Sequence, residues 1–222
     1  MKKITIAIDG PAGSGKSTTA RHVAHELGYV YIDTGAMYRA VTLAWIREKS
    51  GLTEFNLCRL MDGIIITLKQ TESGQKTYLN DEDVSDEIRT PIVTQYVSPV
   101  SAIACVREKM VSQQRELGKD GGVVMDGRDI GTVVFPNAEL KIYLIASIEA
   151  RAKRRRLEMS LKGIDIPLDE LISQITERDY YDSSRSISPL MMAKDAIEID
   201  TSELTIEGQT QKVIEHAKSI IG

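Results

Sequence analysis

The chain has 222 residues, of which 42% are apolar, and it carries 28 basic and 32 acidic side chains. A net charge of -4 does not indicate a general attraction to nucleic acid or to anionic membranes. No apolar run is long enough to span a membrane, and the apolar stretch near the amino terminus is too short for a signal peptide. Cys58 and Cys105 match neither the spacing of a zinc site nor that of a disulfide framework, so we expect core or neutral positions for both. These features favour a cytoplasmic protein without nucleic-acid or membrane partners.

The first predicted elements are a strand, a glycine-rich turn and a helix. The apolar run 4–8, ITIAI, is typical of a buried parallel strand, and Gly10 follows closely. Residues 17–27 have a helical pattern that Gly28 is placed to cap, and residues 29–32 predict the next strand. Further strands are predicted at 122–126, 140–145 and 196–200. This alternation predicts an α/β fold with a parallel sheet covered by helices.

One stretch interrupts the alternation. Residues 63–84 contain two β-like runs separated by a turn rich in Glu, Ser and Gly. We interpret it as an antiparallel insert at 61–96, which divides the core into residues 1–60 and 97–222. The last predicted helix carries apolar residues on one face, as a helix packed on the sheet requires: Ile206, Val213, Ile214, Ala217 and Ile221.

The glycine-rich turn matches a phosphate-binding loop without a mismatch. Gly10, Gly15, Lys16 and Ser17 satisfy G-x-x-x-x-G-K-[ST], with a predicted strand before the motif and a helix after it. Such a loop turns backbone N–H groups and the positive end of a helix toward an anion, and its lysine adds a point charge. The hydroxyl of Ser17 is the expected ligand of Mg²⁺. The motif predicts binding of a nucleoside triphosphate and leaves the phosphate acceptor open.

Water as the acceptor would make the protein a GTPase or an ATPase. The sequence has no N-K-x-D guanine-reading tetrad and no obvious D-x-x-G switch after a second strand, so this interpretation is disfavoured. A small-molecule acceptor needs a second anion site, where arginines are the expected ligands.

Arginines follow two of the predicted strands, at the edge where open α/β sheets bind ligands. Residues 32–40, IDTGAMYRA, place Tyr38 and Arg39 in the first turns of a helix. The sequence MDGRDIGTVVFP follows another strand and places Arg128 and Asp129 in a polar turn. A surface turn without function is the alternative for the second segment.

A basic helix follows the strand at 140–145. Arg151, Arg154 and Arg155 share one face through their spacing. Alone, such a run equally suits a solvated helix or a nucleic-acid patch, but its place after a core strand favours a mobile lid at about 150–166. Three further charged residues have spacings that suit one helical face: Arg178, Asp182 and Arg185.

The segments DGPAGSGKST, DTGAMYRA, DGRDIGTVVFP and ERDYYDSSR, in this order and spacing, resemble the bacterial cytidylate kinase family from end to end. The resemblance implies a P-loop NTPase-type three-layer fold with a parallel β-sheet core, an antiparallel NMP-binding insert and a helical lid. It also implies that ATP phosphorylates CMP or dCMP with Mg²⁺, giving ADP and CDP or dCDP, in a cytoplasmic monomer.

The same resemblance assigns individual residues. ATP would be bound by Gly10, Pro11, Ala12, Gly13, Ser14, Gly15, Lys16, Ser17, Thr18, Arg151, Arg154 and Arg155. CMP would be bound by Thr34, Gly35, Tyr38, Arg39, Ser98, Arg107, Gly127, Arg128, Asp129, Arg178, Asp182 and Arg185. Catalytic roles fall to Lys16, Arg128, Arg154 and Arg185, and Ser17 holds the metal.

Within the CMP set, Arg39 and Arg128 would hold the acceptor phosphate, and Arg185 would neutralise it during transfer. Cytosine would be read by Ser98, Arg107 and Asp129, with Arg178 and Asp182 at the sugar.

Three alternatives remain open. Another nucleoside monophosphate kinase is the nearest, because DTGAMYRA is also similar to an adenylate kinase pattern, although the long insert argues against it. A P-loop regulatory protein would hydrolyse nucleotide without depending on a monophosphate. A nucleic-acid-binding module built on Arg151–Arg156 would bind RNA or DNA in a salt-sensitive way.

Overall fold

The structure is a computed structural model that describes residues 2–49, 53–72, 74–161 and 163–222. The chain divides into two compact units, of which the first joins Met1–Tyr31 to Asp120–Gly222 and the second is Ile32–Lys119. No helix within the described residues has the length and hydropathy needed to cross a membrane.

The amino-terminal elements match the predicted strand, loop and helix. Strand β1 (Thr5–Asp9) is buried along its whole length, as a central parallel strand should be. Helix α1 (Lys16–Leu27) ends at Gly28, whose φ of 65° is the left-handed C-cap conformation that favours glycine. Strand β2 (Val30–Asp33) follows and crosses from the first unit to the second.

The second unit is built from helices and a small antiparallel sheet. Its elements in chain order are α2 (Thr34–Glu48), α3 (Glu54–Asp62), β3 (Ile66–Thr71), β4 (Gly74–Leu79), β5 (Glu82–Asp83), a 3-10 turn (Glu87–Arg89), α4 (Pro91–Ser101) and α5 (Ala104–Gly118). The sheet order is β3-β4-β5 with antiparallel pairing. The two predicted runs are β3 and β4, and a third, very short strand pairs with β4. The predicted insert, 61–96, lies inside this unit, and its role in binding nucleotide stays a prediction.

A disulfide joins two helices of the second unit. Cys58 on α3 and Cys105 on α5 are 47 residues apart in the sequence, yet their Cα atoms lie 5.6 Å apart and their sulfurs are bonded. The expectation that these cysteines form no disulfide was therefore wrong. It relied on sequence spacing, which does not report that α3 and α5 pack side by side around a shared apolar core.

The chain then returns to the first unit. Its remaining elements are β6 (Val123–Gly127), a single π-helical turn (Ile130–Val134), β7 (Leu140–Ile145), α6 (Ile148–Ser160), α7 (Leu168–Ser184), β8 (Ile197–Asp200) and α8 (Ile206–Ile221). The five-stranded sheet has the order β2-β6-β1-β7-β8, and β1 pairs in parallel with both β6 and β7. The predicted α/β class with a parallel core is confirmed.

The core of the first unit lies against this sheet. Ile6 and Ile8 of β1 and Ile142 of β7 are almost fully buried and pack with Val23 of α1 and Val213 of α8. Burial of each such side chain stabilises the fold by roughly 1.5–3 kcal/mol. This packing fixes the carboxyl ends of the strands, where the polar residues are concentrated.

Candidate active site

The loop between β1 and α1 has a backbone that only glycine allows at its critical positions. Gly10 has φ 144°, and a Cβ there would lie 2.1 Å from the carbonyl oxygen of Leu144. Gly15 has φ 91°, and a Cβ there would lie 2.7 Å from the side-chain amide of Gln209 on α8. The glycines thus let β7 and α8 pack directly on the loop, which leads into the amino terminus of α1 as a phosphate site requires.

Lys16 is the first residue of α1 and is 5% exposed. Its Nζ donates a hydrogen bond of 2.7 Å to the carbonyl oxygen of Pro11, within the same loop. Burial lowers the pKa of Lys16 well below its ordinary value, Arg128 lowers it further and Asp126 opposes the effect. A phosphate bound at the loop would therefore stabilise the ammonium by placing a negative charge beside it.

Ser17 is tied to the end of β6. Its hydroxyl donates to Asp126 Oδ2 at 2.8 Å, and Asp126 Oδ1 accepts a hydrogen bond from the Tyr31 hydroxyl at 2.8 Å. Because the Ser17 hydrogen points to Asp126, the lone pairs of its oxygen stay available to a cation. A hydroxyl beside a carboxylate is a hard oxygen donor set of the kind that Mg²⁺ prefers, so these residues fit the predicted metal.

Two pairs of opposite charges link the turn after β6 to the end of α7. Arg128 Nε donates to Asp182 Oδ2 at 2.9 Å, and Arg185 Nη2 lies 3.9 Å from Asp129 Oδ1. The side chains of Asp182, Asp129 and Arg185 are each 5% exposed. The structure thus brings together four of the predicted CMP-binding residues. Arg185, however, is the C-cap just beyond α7 and does not continue the helical face.

These pairs hold the charges in place. Burial acts to lower the pKa of Arg128, but the charge of Asp182 and its hydrogen bond outweigh this, so the pKa is raised. Burial likewise acts to raise the pKa of Asp182, but Arg128 and then Arg178 lower it below its ordinary value. Both groups are therefore ionised at neutral pH, and Arg178 adds positive charge to the same cluster.

The first two arginines of α6 face the phosphate loop. Arg151, which is 4% exposed, donates to the carbonyl oxygens of Ala12 at 3.2 Å and Ala146 at 3.1 Å and pairs with Asp179 at 2.6 Å. A Cβ at Gly13 would lie 3.2 Å from Cβ of Arg151, so α6 packs closely against the loop.

Arg154 reaches the same loop from the next turn of α6. It donates to the carbonyl oxygen of Gly13 at 3.4 Å and to the hydroxyl and carbonyl of Thr201, while the Thr201 hydroxyl donates to Ser14 O at 3.0 Å. Arg155 instead pairs with Glu158 at 2.8 Å along the helix. The three arginines proposed for the lid therefore differ in what they contact.

Further predicted residues lie in the loop and at the ends of the elements that adjoin it. Ser14 donates to the Pro11 carbonyl at 3.0 Å, Thr18 lies in the first turn of α1, and Gly127 is the last residue of β6. In the second unit, Thr34 and Gly35 begin α2, and Asp33 caps that helix by accepting a hydrogen bond from the Ala36 N–H at 2.9 Å.

Arg39 is anchored within the second unit. Its Nη1 donates to the carbonyl oxygen of Ile88 at 3.1 Å and to the Thr94 hydroxyl at 2.9 Å. These contacts hold one nitrogen of the guanidinium against the 3-10 turn and α4. A second arginine, Arg89, lies 3.5 Å from Asp33 Oδ2, so this unit has its own pairing of positive and negative charge at the start of α2.

Tyr38 and Arg107 form a buried pair in the second unit. The guanidinium carbon of Arg107 lies 5.3 Å from the centre of the Tyr38 ring, and Arg107, which is 2% exposed, donates to Ser101 O at 3.0 Å. The Ser101 hydroxyl donates to the carbonyl oxygen of Ser98 at 2.9 Å. Ser98 and Arg107, two residues predicted to read the base, are thus linked through one intervening serine.

Sequence reasoning gave no role to Asp179, Thr201 or Asp9, and left Asp126 out of the metal site. Asp126 carried a usable signal, because it is an acidic residue next to the end of a buried strand and directly before a glycine, much as Asp9 is. Asp179 and Thr201 carried none, since each acts through an arginine of α6 that is distant in the sequence.

A glycine loop that takes phosphates is shared by hydrolases and kinases, but a hydrolase has no second phosphate to neutralise. The paired arginines and carboxylates at the end of β6, next to Lys16 and Ser17, are suited to a second phosphate, which places the chain in the class of P-loop kinases. The fold agrees. Shikimate kinase from Bacteroides thetaiotaomicron superposes with a TM-score of 0.50 at 14% identity, over 99% of each chain.

Sequence comparison narrows the class. The cytidylate kinase family model matches residues 6–219. A cytidylate kinase from Bacillus pumilus (strain SAFR-032) is 53% identical over 220 residues, covering 99% of this chain and 98% of its own. One from Bacillus subtilis (strain 168) is 52% identical over 215 residues, covering 96% of each chain. The chain belongs to the cytidylate kinase family.

Proposed function

We propose that the protein transfers the γ-phosphoryl group of ATP to CMP or dCMP, giving ADP and CDP or dCDP. The observation that carries the proposal is the near full-length identity of about half the residues with cytidylate kinases, in a chain whose phosphate loop and arginine cluster are intact. Because the acceptor is already a phosphate dianion, no side chain of the site has to act as a general base.

On the donor side, the loop N–H groups and Lys16 bind the triphosphate. Lys16 releases the Pro11 carbonyl and takes a phosphate oxygen instead, a short movement because both partners lie at the same loop. Mg²⁺ would be held by Ser17, with Asp126 orienting the hydroxyl, and when bound it supplies positive charge that offsets the departing γ-phosphoryl group. Arg154 and Arg155 complete the positive surroundings of the triphosphate.

On the acceptor side, Arg128 holds the monophosphate and Arg185 stabilises the charge that moves between donor and acceptor. Asp182 and the Gly127 carbonyl use only part of the Arg128 guanidinium, so N–H groups remain to bind phosphate oxygens. The transition state of phosphoryl transfer is loose and highly anionic, and fixed arginines stabilise it without reorganising. Arg39 contributes to the acceptor phosphate and Arg178 with Asp182 to the sugar.

Cytosine selectivity is assigned to Asp129, Arg107 and Ser98. Cytosine presents an amino donor and an unprotonated ring acceptor, and uracil reverses both. A carboxylate accepts from the amino group and repels the uracil oxygen, whereas a guanidinium donates to the cytosine ring and meets an N–H in uracil.

The test is ADP release from ATP measured with CMP, dCMP, UMP, AMP and GMP as separate acceptors, with and without Mg²⁺. We expect CMP and dCMP to be phosphorylated with the highest kcat/KM and Mg²⁺ to be required. Hydrolysis of ATP that does not depend on any monophosphate would contradict the proposal and favour a regulatory P-loop protein. We also propose a monomer in the cytoplasm without nucleic-acid partners, which sedimentation and salt-dependent RNA binding assays would test.

A further inference from the structure

Asp9 lies at the junction of the two phosphate-binding segments of the first unit. It is the last residue of β1 and directly precedes Gly10 of the phosphate loop. Its Oδ1 accepts a hydrogen bond of 2.9 Å from the Ile130 N–H, and its Oδ2 accepts one of 2.7 Å from the Gly131 N–H. These two amides follow immediately after Asp129, so one carboxylate holds the turn that carries the acceptor-binding residues.

Asp9 is closely packed against both the phosphate loop and the turn after β6. Asp9 is 5% exposed, and a Cβ at Gly10 would lie 2.1 Å from Leu144 O, so β7 packs directly against the chain that leaves β1. A Cβ at Gly131 would lie 3.2 Å from the side chain of Lys141 and 3.4 Å from Asp9 Oδ2. The Asp9 carboxylate therefore packs tightly against Ile130 and Gly131, and this contact is called the joint below.

We propose that Asp9 is a positioning residue, which joins the phosphate loop to the turn carrying Arg128 and Asp129 and so sets the distance between donor and acceptor phosphates. The inference rests on the proposed function of that turn. A misplacement of about 1 Å costs on the order of a hundredfold in rate, so a joint of this kind affects chemistry more than binding.

The joint depends on the ionised carboxylate. Both oxygens accept N–H groups, and a proton on either oxygen would replace an acceptor with a donor. Burial raises the pKa of Asp9 to about 7, against two backbone hydrogen bonds that lower it; Asp129 raises it further and Lys16 lowers it. Tyr143 of β7 also interacts electrostatically with Asp9, the side chain of Lys141 lies beside Gly131, and Gly127 of β6 pairs with Asp9 in the sheet.

The experiment compares wild type with Asp9→Asn, which keeps the shape but places an amide N–H₂ against a backbone N–H. We expect kcat to fall about 10- to 100-fold while KM for ATP stays within about threefold, because the phosphate loop itself is unchanged. Wild-type kcat/KM for CMP should rise more than that of the variant as the pH increases through about 7. Because the substrate phosphates titrate equally with both enzymes, the difference between the two pH profiles is the part that depends on Asp9. Glu139→Gln is the matched control: its carboxylate accepts from the Thr5 N–H at 2.9 Å, at the opposite end of β1.

The outcomes distinguish failure of the positioning role of Asp9 from failure of the proposed function. If Asp9→Asn retains wild-type kcat and pH profile while Arg128→Lys loses kcat/KM for CMP, the positioning role is wrong and the proposed function stands. If Arg128→Lys leaves kcat/KM for CMP unchanged, the proposed function of the turn fails instead. Should Asp9→Asn not fold, Asp9→Glu keeps the charge but lengthens the joint by one methylene; it should lose kcat and keep the pH dependence, and wild-type kinetics would overturn the proposal.

Discussion

The free energy of unfolding should depend on pH in a way that identifies Asp9. Burial raises the pKa of Asp9 from 3.8 to about 7, so the folded protein holds a proton that the unfolded chain releases. At 1.36 kcal/mol for each pKa unit, this rise corresponds to about 4 kcal/mol. The contribution of Asp9 to the free energy of unfolding is fully present below the unfolded pKa of 3.8 and is lost as the pH rises to about 7. Above that pH the contribution does not change further.

Urea unfolding of wild type and Asp9→Asn at about pH 5 and about pH 8.5 measures this contribution. The variant cannot ionise at position 9, while every other titrating group is retained. Between these two conditions the free energy of unfolding of wild type should fall by about 2 to 3 kcal/mol more than that of the variant. Equal changes in the two proteins would refute the argument, because a buried carboxylate with a raised pKa must produce the difference.

Substitution of single residues tests the rest of the site and the second unit. Lys16→Ala should lower kcat by on the order of a hundredfold or more, and a value within twofold of wild type would exclude a role in the transition state. Asp129→Ala should reduce a preference for CMP over UMP of on the order of a hundredfold, mainly by harming CMP; an unchanged ratio removes Asp129 from base reading. Without reductant, Cys58→Ser should lower the free energy of unfolding by about 4 kcal/mol through loss of a bond that closes 47 residues, and equal stability of both proteins would contradict this. Amide exchange in α6 and in β3 to β5 should slow when both nucleotides bind, and unchanged exchange would count against a closing lid.

The phosphate loop and the parallel strands could be predicted because each depends on local pattern. Residues 4–8, ITIAI, are a mostly apolar run that is followed directly by Asp9 and Gly10, and G-x-x-x-x-G-K-[ST] predicts both the loop and the start of α1. The short strand Glu82–Asp83 was missed because two exposed acidic residues carry no strand signal of their own. It exists only because β4 offers a free edge to pair with.

Long-range contacts were the part that sequence pattern could not supply. The disulfide depends on how α3 and α5 pack, and the burial of Arg151 depends on Asp179, which lies 28 residues further along the chain. A helical spacing shows that Arg151 and Arg154 share a face but not what that face meets. The joint made by Asp9 is of the same kind, since Ile130 lies 121 residues away and donates a backbone N–H that no motif encodes.

Strand β1 is synthesised well before the strands with which it pairs. Its partners β6 and β7 begin at Val123 and Leu140, and a ribosome that adds roughly 5–20 residues per second needs on the order of ten seconds to reach them. By then all of Ile32–Lys119 has been made, including both cysteines of the disulfide and the unit's own apolar core. The elements of Ile32–Lys119 can therefore make contacts with one another before β1 has a partner, and until then β1 is an unpaired apolar segment of the kind that chaperones bind.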